Sequence, residues 1–534
     1  MTRATSSFPR FLTAALWTLA ALSAPSSPAE GQLGPTGTQF WNQGSPGLGT
    51  TLESDAETGR ALAIGDFDCD GFGDLAIGMP GDEAGGDSEA GRVLVLYGSH
   101  GGPVTEAHSL LSQDTPGIQD ATGAMDHFGE SLAAGDFDGD ACDDLAIGAP
   151  GESLEGEGVI VEAGGVHVLY GSVLGLTVDG NDFFTQATAD MPGVAQADDR
   201  FGSVLFAADF DFDADDELII GVPGEDLEGE TPVTDAGAVH LLAGGPGGLS
   251  AGFGLLFVSG DEVVNWIPGD FDRLGSSFAA YRLGNPPSVR LAIGAPGRDV
   301  QDEDAAGEVV SLFGPMTALP QASYMNQNGD IPGAPESFDH FGAALAAGDF
   351  DGDGHDELVV GVPGEDLEVE QVESAGAVIV VDVWNDIDHT LILQDYLTPE
   401  ASEDFDRFGA SLATGDWNGD GRKDLAIGVP GETLGGLEES GVVHILFAGQ
   451  NGIEATNRQL WLQTIDPSED GDQFGATLAA GRLSGHTGED LAIGVPGENL
   501  GAAVDAGGVN VLFSIVLFID GFEDGLSPWS DVQP

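Results

Sequence analysis

Acidic side chains recur along this chain at a spacing that suits a hard metal ion. Asp66, Asp68, Asp70 and Asp74 fall at positions 1, 3, 5 and 9 of a short segment whose sixth residue is Gly71. The arrangement returns with Asp136, Asp138, Asp140 and Asp144, then with Asp209, Asp211, Asp213 and Glu217. Two more copies carry Asp349, Asp351, Asp353 and Glu357, and Asp416, Asn418, Asp420 and Asp424. Alternate carboxylates converge when such a loop curls round a point, and a glycine at position 6 permits the sharp turn. Ala141 and Ala214 replace that glycine in the second and third copies, which should weaken those sites. Oxygen donors without sulfur or imidazole select calcium, which accepts six to eight oxygens. Without a cation the converging carboxylates would repel one another strongly. Two further copies have Arg282 and Arg482 at position 1, where a fixed positive charge replaces the metal's. The expectation is therefore about five calcium ions.

These loops belong to a repeat that sets the architecture. Leu75-Ala-Ile-Gly-Met-Pro-Gly81 recurs with small changes from Leu145, Leu218, Leu291, Leu358, Leu425 and Leu491, at spacings of 66 to 73 residues. About 16 residues earlier stands a second marker, Phe-Gly, at Phe128, Phe201, Phe341, Phe408 and Phe474, with Thr58-Gly59 and Leu274-Gly275 as weaker copies. A fixed period of this size means a solenoid, a propeller or an array. Each repeat reads as four short strands with the acidic loop between the first two. The first is small and apolar, as in Ser131–Gly135, and the second is continuously apolar, as in Leu145–Gly148. Gly165–Tyr170 typifies the third strand, and Ser109–Gln113 or Leu460–Gln463 the fourth. Strands apolar on both faces fit an all-β, seven-bladed β-propeller of four-stranded antiparallel blades. The seventh repeat lacks a fourth strand, while Thr38–Gln43 looks like one placed before the first repeat. That N-terminal strand is expected to complete the last blade and close the ring without an open edge.

Composition narrows the function. The chain has 534 residues, with 14 Lys+Arg against 91 Asp+Glu and a formal net charge of −77. That balance excludes a nucleic-acid binder, which needs a basic footprint. Residues 1–29 read as a secretory signal peptide, with Arg3 and Arg10 before an apolar run from Phe11 to Ala24 and small residues after it. The run is shorter than the roughly 20 residues of a membrane span. Residues 30–515 form the propeller, and 516–534 a short tail that fits no blade. The protein is accordingly expected to be secreted, at the cell surface or in the periplasm.

The Phe-Gly, Asp-x-Asp-x-Asp-Gly-x-x-Asp and Gly-Ala-Pro elements together resemble FG-GAP repeats, those of the propeller at the N-terminus of integrin α-subunits. The resemblance covers roughly residues 38–513 and is nearest to stand-alone exported bacterial proteins of this type. It implies calcium in the five loops named above, and a role in adhesion or ligand binding with an extracellular protein or glycan as partner. No leg domains or membrane span follow the repeats, so heterodimeric integrin signalling is not implied. Hairpin connections alternate between the two faces of a propeller. The long acidic loops after Pro-Gly and before Phe-Gly therefore lie opposite the calcium loops, and that face is the expected recognition surface.

Other features rank lower. His167, His240 and His444 share one third-strand position and read as packing residues. Cys69 and Cys142 lie inside the first two acidic loops, and a disulfide between blades would need those loops to be close. No Gly-x-Ser-x-Gly elbow or His-Glu-x-x-His site occurs, so the protein is expected not to be an enzyme. The alternatives are a hydrolase or lyase working in the propeller channel, or an inert structural surface component.

Overall fold

Four strands per repeat become four strands per blade. The computed structural model describes residues 32–515, apart from positions 106, 156–157, 229–230, 262, 285–287, 302, 315–319, 328–330, 368–371, 385–388, 398–401 and 464–467. The signal peptide and the C-terminal tail read from the sequence lie outside the described residues. Seven four-stranded antiparallel sheets form a β-propeller, each sheet one repeat. In blade 2 the order from the axis outward is Ser131–Gly135, Asp144–Ala149, Gly165–Tyr170 and Thr177–Phe184. Innermost strands of successive blades adjoin round the ring, and Thr477–Gly481 of blade 7 meets Leu62–Gly65 of blade 1.

Closure occurs as expected. Gln32–Trp41 pairs with Gly508–Ile515 as the outer strand of blade 7, with Gln39 opposite Val511 and Trp41 opposite Val509. The N-terminal segment and the last repeat thus share one sheet, which completes the four strands of the blade at the seam. Fourth strands vary most: His108–Leu111 is shorter than its counterpart Gly452–Trp461, which begins well before Leu460. A small ribbon, Leu154–Glu155 with Val159–Ile160, is added on the long loop of blade 2. A 3₁₀ turn covers Gln394–Leu397 in blade 6's approach loop.

Apolar second and third strands are buried along both faces because each blade is covered by its two neighbours. The core therefore lies between blades: Val166, Val168 and Tyr170 of blade 2 pack with Phe201, Leu218 and Ile220 of blade 3. At the seam, Leu75, Ile77 and Met79 meet Val509 and Val511. The repeat's two signatures meet in the same way. Gly361, in the second strand of blade 5, faces the carbonyl of Gly409 in blade 6, and a Cβ at Gly361 would collide with that oxygen. Gly494 of blade 7 faces the carbonyl of Gly59 of blade 1 likewise, so one backbone contact recurs round the whole ring.

Candidate metal centres

Each acidic loop leaves the innermost strand and returns as the second strand. In blade 1, pairing stops at Gly65 opposite Asp74, and the chain between them curls. Position 2 anchors the curl in the core: Phe67, Phe137, Phe210, Phe350 and Trp417 are all buried. Odd positions then point the other way. Positions 4 and 6 both adopt left-handed backbone, as Cys69 and Gly71, Gly139 and Ala141, Phe212 and Ala214, Gly352 and Gly354, and Gly419 and Gly421. The sequence reading recognised the need for glycine at position 6 and missed the same need at position 4.

Carboxylates gather where the spacing placed them. Asp66, Asp68 and Asp70 bring one oxygen each within 4.8 Å of one another, and so do Asp349, Asp351 and Asp353. In blades 2 and 3 the converging trios are Asp136, Asp138 and Asp144, and Asp209, Asp211 and Glu217. Asp140 and Asp213 stand outside those trios, as Asp74 and Glu357 stand outside theirs. Blade 6 differs. Asn418 points its amide toward Asp424 at 3.4 Å, and Asp420 turns to the guanidinium of Arg422.

The loops shape themselves by bonding their own backbone. Asp66 Oδ1 and Oδ2 accept the N–H groups of Asp70 and Gly71 at 2.9 Å each. The position 9 acid has a second task. Asp144 accepts Phe137 N–H at 2.8 Å and Gly171 N–H at 2.7 Å, so it ties the loop to the end of the third strand. Asp74 and Asp424 do the same. Burial raises these acids: Asp74 to about 7, and Asp144, Glu217, Glu357 and Asp424 to about 8. Asp68, Asp138 and Asp351 also rise, first through desolvation and then through their acidic neighbours. Charge held back by burial and like-charge repulsion is what a bound cation would release, so the donors fit calcium.

Position 8 was not singled out by the sequence, yet it joins the blades. Asp143 of blade 2 accepts Asp66 N–H at 2.7 Å and gives its own N–H to Asp66 C=O at 3.0 Å. Asp216, Asp356 and Glu489 make the same two-bond clasp to Asp136, Arg282 and Asp416. Gly73 and Lys423 occupy the place elsewhere and keep only the backbone half, to Arg482 and Asp349. Beside the first clasp, a disulfide links Cys69 to Cys142, with Cα atoms 5.1 Å apart. The first two loops are therefore close enough for the bond the sequence left open. The three histidines pack as read: His240 lies edge-on to Phe201 at 5.2 Å, and burial lowers it to about 4. Among the described residues no helix is long and apolar enough to cross a membrane.

Fold and loops together define a seven-bladed propeller with acidic hairpin loops in five blades. The FG-GAP repeat family matches residues 58–96, 128–169, 201–242, 341–381 and 408–446, the same five blades. The chain thus carries five FG-GAP repeats and is homologous to the N-terminal propeller regions of integrin α-subunits. It is 37% identical to integrin alpha-PS2 of Drosophila melanogaster over 122 residues, which is 22% of this chain and 8% of that protein. Phosphatidylinositol-glycan-specific phospholipase D of Bos taurus is 26% identical over 433 residues, 73% of this chain and 46% of the relative. The Homo sapiens enzyme of that name is 27% identical over 434 residues, 74% and 45%. This chain spans less than half the length of these curated relatives.

Proposed function

We propose that the chain is a secreted propeller, stapled by calcium at its five acidic loops, whose opposite face binds an extracellular protein or glycan. The observation that carries the binding face is a row of exposed aromatics. Phe271, Phe338 and Phe405 precede the Asp-x-Phe-Gly segment, or its Leu-Gly counterpart, in blades 4, 5 and 6, and each is more than half exposed. All three adopt left-handed backbone, at φ 66°, 71° and 67°. A bulky residue held there costs about 1–3 kcal/mol, so its retention at an exposed position favours use in recognition. Arg273, His340 and Arg407 stand two residues further on, adding charge and hydrogen-bond donors. First and second strands are antiparallel, so this end lies opposite the acidic loops.

A binding role accords with the integrin relatives, while the phospholipase relatives extend well beyond the aligned stretch. Replacing the three phenylalanines together by serine should abolish capture on a glycan array or an extracellular-protein panel, with the calcium loops intact. Unchanged capture by the triple variant would refute the assignment of the face.

A further inference from the structure

A second set of oxygen donors lies at the blade junctions on the end away from the acidic loops. At the junction of blades 2 and 3, Gln186 follows the outer strand of blade 2, while Asp199 and Glu225 belong to blade 3. All three are buried, at 4%, 0% and 6% exposure. Gln186 Nε2 donates to Glu225 Oε2 at 2.5 Å, holding the amide against the carboxylate. Asp199 Oδ2 accepts the N–H of Gln196 at 2.6 Å. That leaves Gln186 Oε1 and Asp199 Oδ1 each buried without a hydrogen-bond partner. The junction of blades 5 and 6 repeats the arrangement. Gln394 bonds Glu432, while Gln394 Oε1 and Asp406 Oδ1 are buried and unpartnered. Gln327 pairs with Glu365 at 2.7 Å beside Asp339, and Gln113 pairs with Glu152 at 2.8 Å beside Asp126. Gln463 and Glu498 pair in the same way beside Asp472.

The remaining junctions show what the site lacks. Between blades 3 and 4 the glutamine is replaced by Ser259 and the glutamate by Arg298. The guanidinium of Arg298 bonds Asp272 Oδ2 at 3.1 Å and the carbonyl of Ile267 at 2.8 Å, with Trp266 stacked over it at 4.9 Å. Between blades 7 and 1, Asp82 pairs with Arg92 at 3.1 Å. Where the protein supplies its own cation, the buried acid has an ion-pair partner. At the other five junctions the glutamine amide holds the glutamate beside a second acid with no positive charge among the described residues of these trios, an arrangement that is costly to bury. Burial and the facing acid raise Glu225 to about 7 and Glu152 to about 9. At the blade 2–3 and 5–6 junctions one proton could serve only one of the two unpartnered acceptors, whereas a metal ion accepts both together with the glutamate.

We infer that these five junctions each hold a hard divalent cation, calcium or magnesium, between Gln, Asp and Glu of adjacent blades. The two carboxylates neutralise the ion, and neutral and charged oxygens without sulfur suit such a metal. These sites are separate from the hairpin loops and stand or fall independently of them.

The test is to dialyse the full chain against calcium and magnesium and count bound ions by mass spectrometry, comparing Glu225→Gln and Asp199→Asn with the loop variant Asp211→Ala. Each junction variant should lose about one ion per chain while Asp211→Ala loses its own. The double variant Gln186→Ser with Glu225→Arg, which copies the blade 3–4 junction, should also lose about one ion and keep its melting temperature in chelator. Junction variants that bind as many ions as the unaltered chain would overturn the proposal, leaving a shared proton as the occupant. A loss confined to Asp211→Ala would overturn it while supporting calcium in the loops. Loss in the junction variants alone would support it and count against the loops.

Discussion

Blades 4 and 5 are neighbours built on the same four-stranded plan, and they handle charge in opposite ways. Blade 5 opens its first hairpin into the acidic loop from Asp349 to Glu357. Blade 4 continues pairing two residues further, to Leu283 opposite Ser288, and has no acidic trio among its described residues. At the position 9 place it has Arg290, whose guanidinium lies 4.8 Å over Phe313. At the other end it replaces a buried glutamate with Arg298. A blade can therefore form without the acids, provided it brings its own cations. The acids of blade 5 are then best explained as an arrangement completed from outside.

The largest effect should follow removal of calcium. Each loop saturated at about a hundred times its Kd adds about 2.7 kcal/mol to the folded state. Chelation should lower the melting temperature by about 10 °C or more. The loss should depend on pH. The position 9 acids titrate at about 7 to about 8 when folded, above the ordinary value for Asp or Glu. Folding therefore favours their protonated form, and that contribution fades as pH rises through 8. In chelator the melting temperature should fall from pH 5 to pH 8, and calcium should flatten the slope. A slope of the same size with calcium would break the contrast between blades.

Next comes the disulfide, which fastens two acidic loops. Replacing Cys69 and Cys142 together by serine should lower stability by about 2–4 kcal/mol in denaturant unfolding, with a larger share of the remaining stability lost in chelator. What the two blades share should respond equally. Gly361→Ala in blade 5 and Gly294→Ala in blade 4 each force a Cβ against the next blade's glycine carbonyl. Both should cost about 1–3 kcal/mol, and calcium should not restore it. The smallest effect belongs to blade 4 alone. Arg290→Met should cost about 0.5–1 kcal/mol and leave the calcium count unchanged.

The ring was legible because its markers recur in register: five Leu-Ala-Ile-Gly copies, two variants at Leu218 and Leu358, and an orphan strand at Thr38–Gln43 fix seven blades and their seam. Converging acids were legible because each set lies within nine residues. What joins one blade to the next was not. Asp143, Asp216, Asp356 and Glu489 act across a junction, and Gly73 and Lys423 hide the period. The buried Gln186, Asp199 and Glu225 are 39 residues apart in sequence and meet only after two blades pack. The exposed Phe271, Phe338 and Phe405 looked like loop variation, since Met125 and Asp198 stand at the same place in other blades.

Calcium counting most directly tests whether the loops are metal sites. Equilibrium dialysis should compare the unaltered chain with a variant carrying Asp68→Ala, Asp138→Ala, Asp211→Ala and Asp351→Ala together with Asn418→Ala. Removing the position 3 oxygen from every loop should lower the count by about five ions, whatever else the protein binds. A difference of fewer than about three between two folded proteins would contradict calcium in the loops.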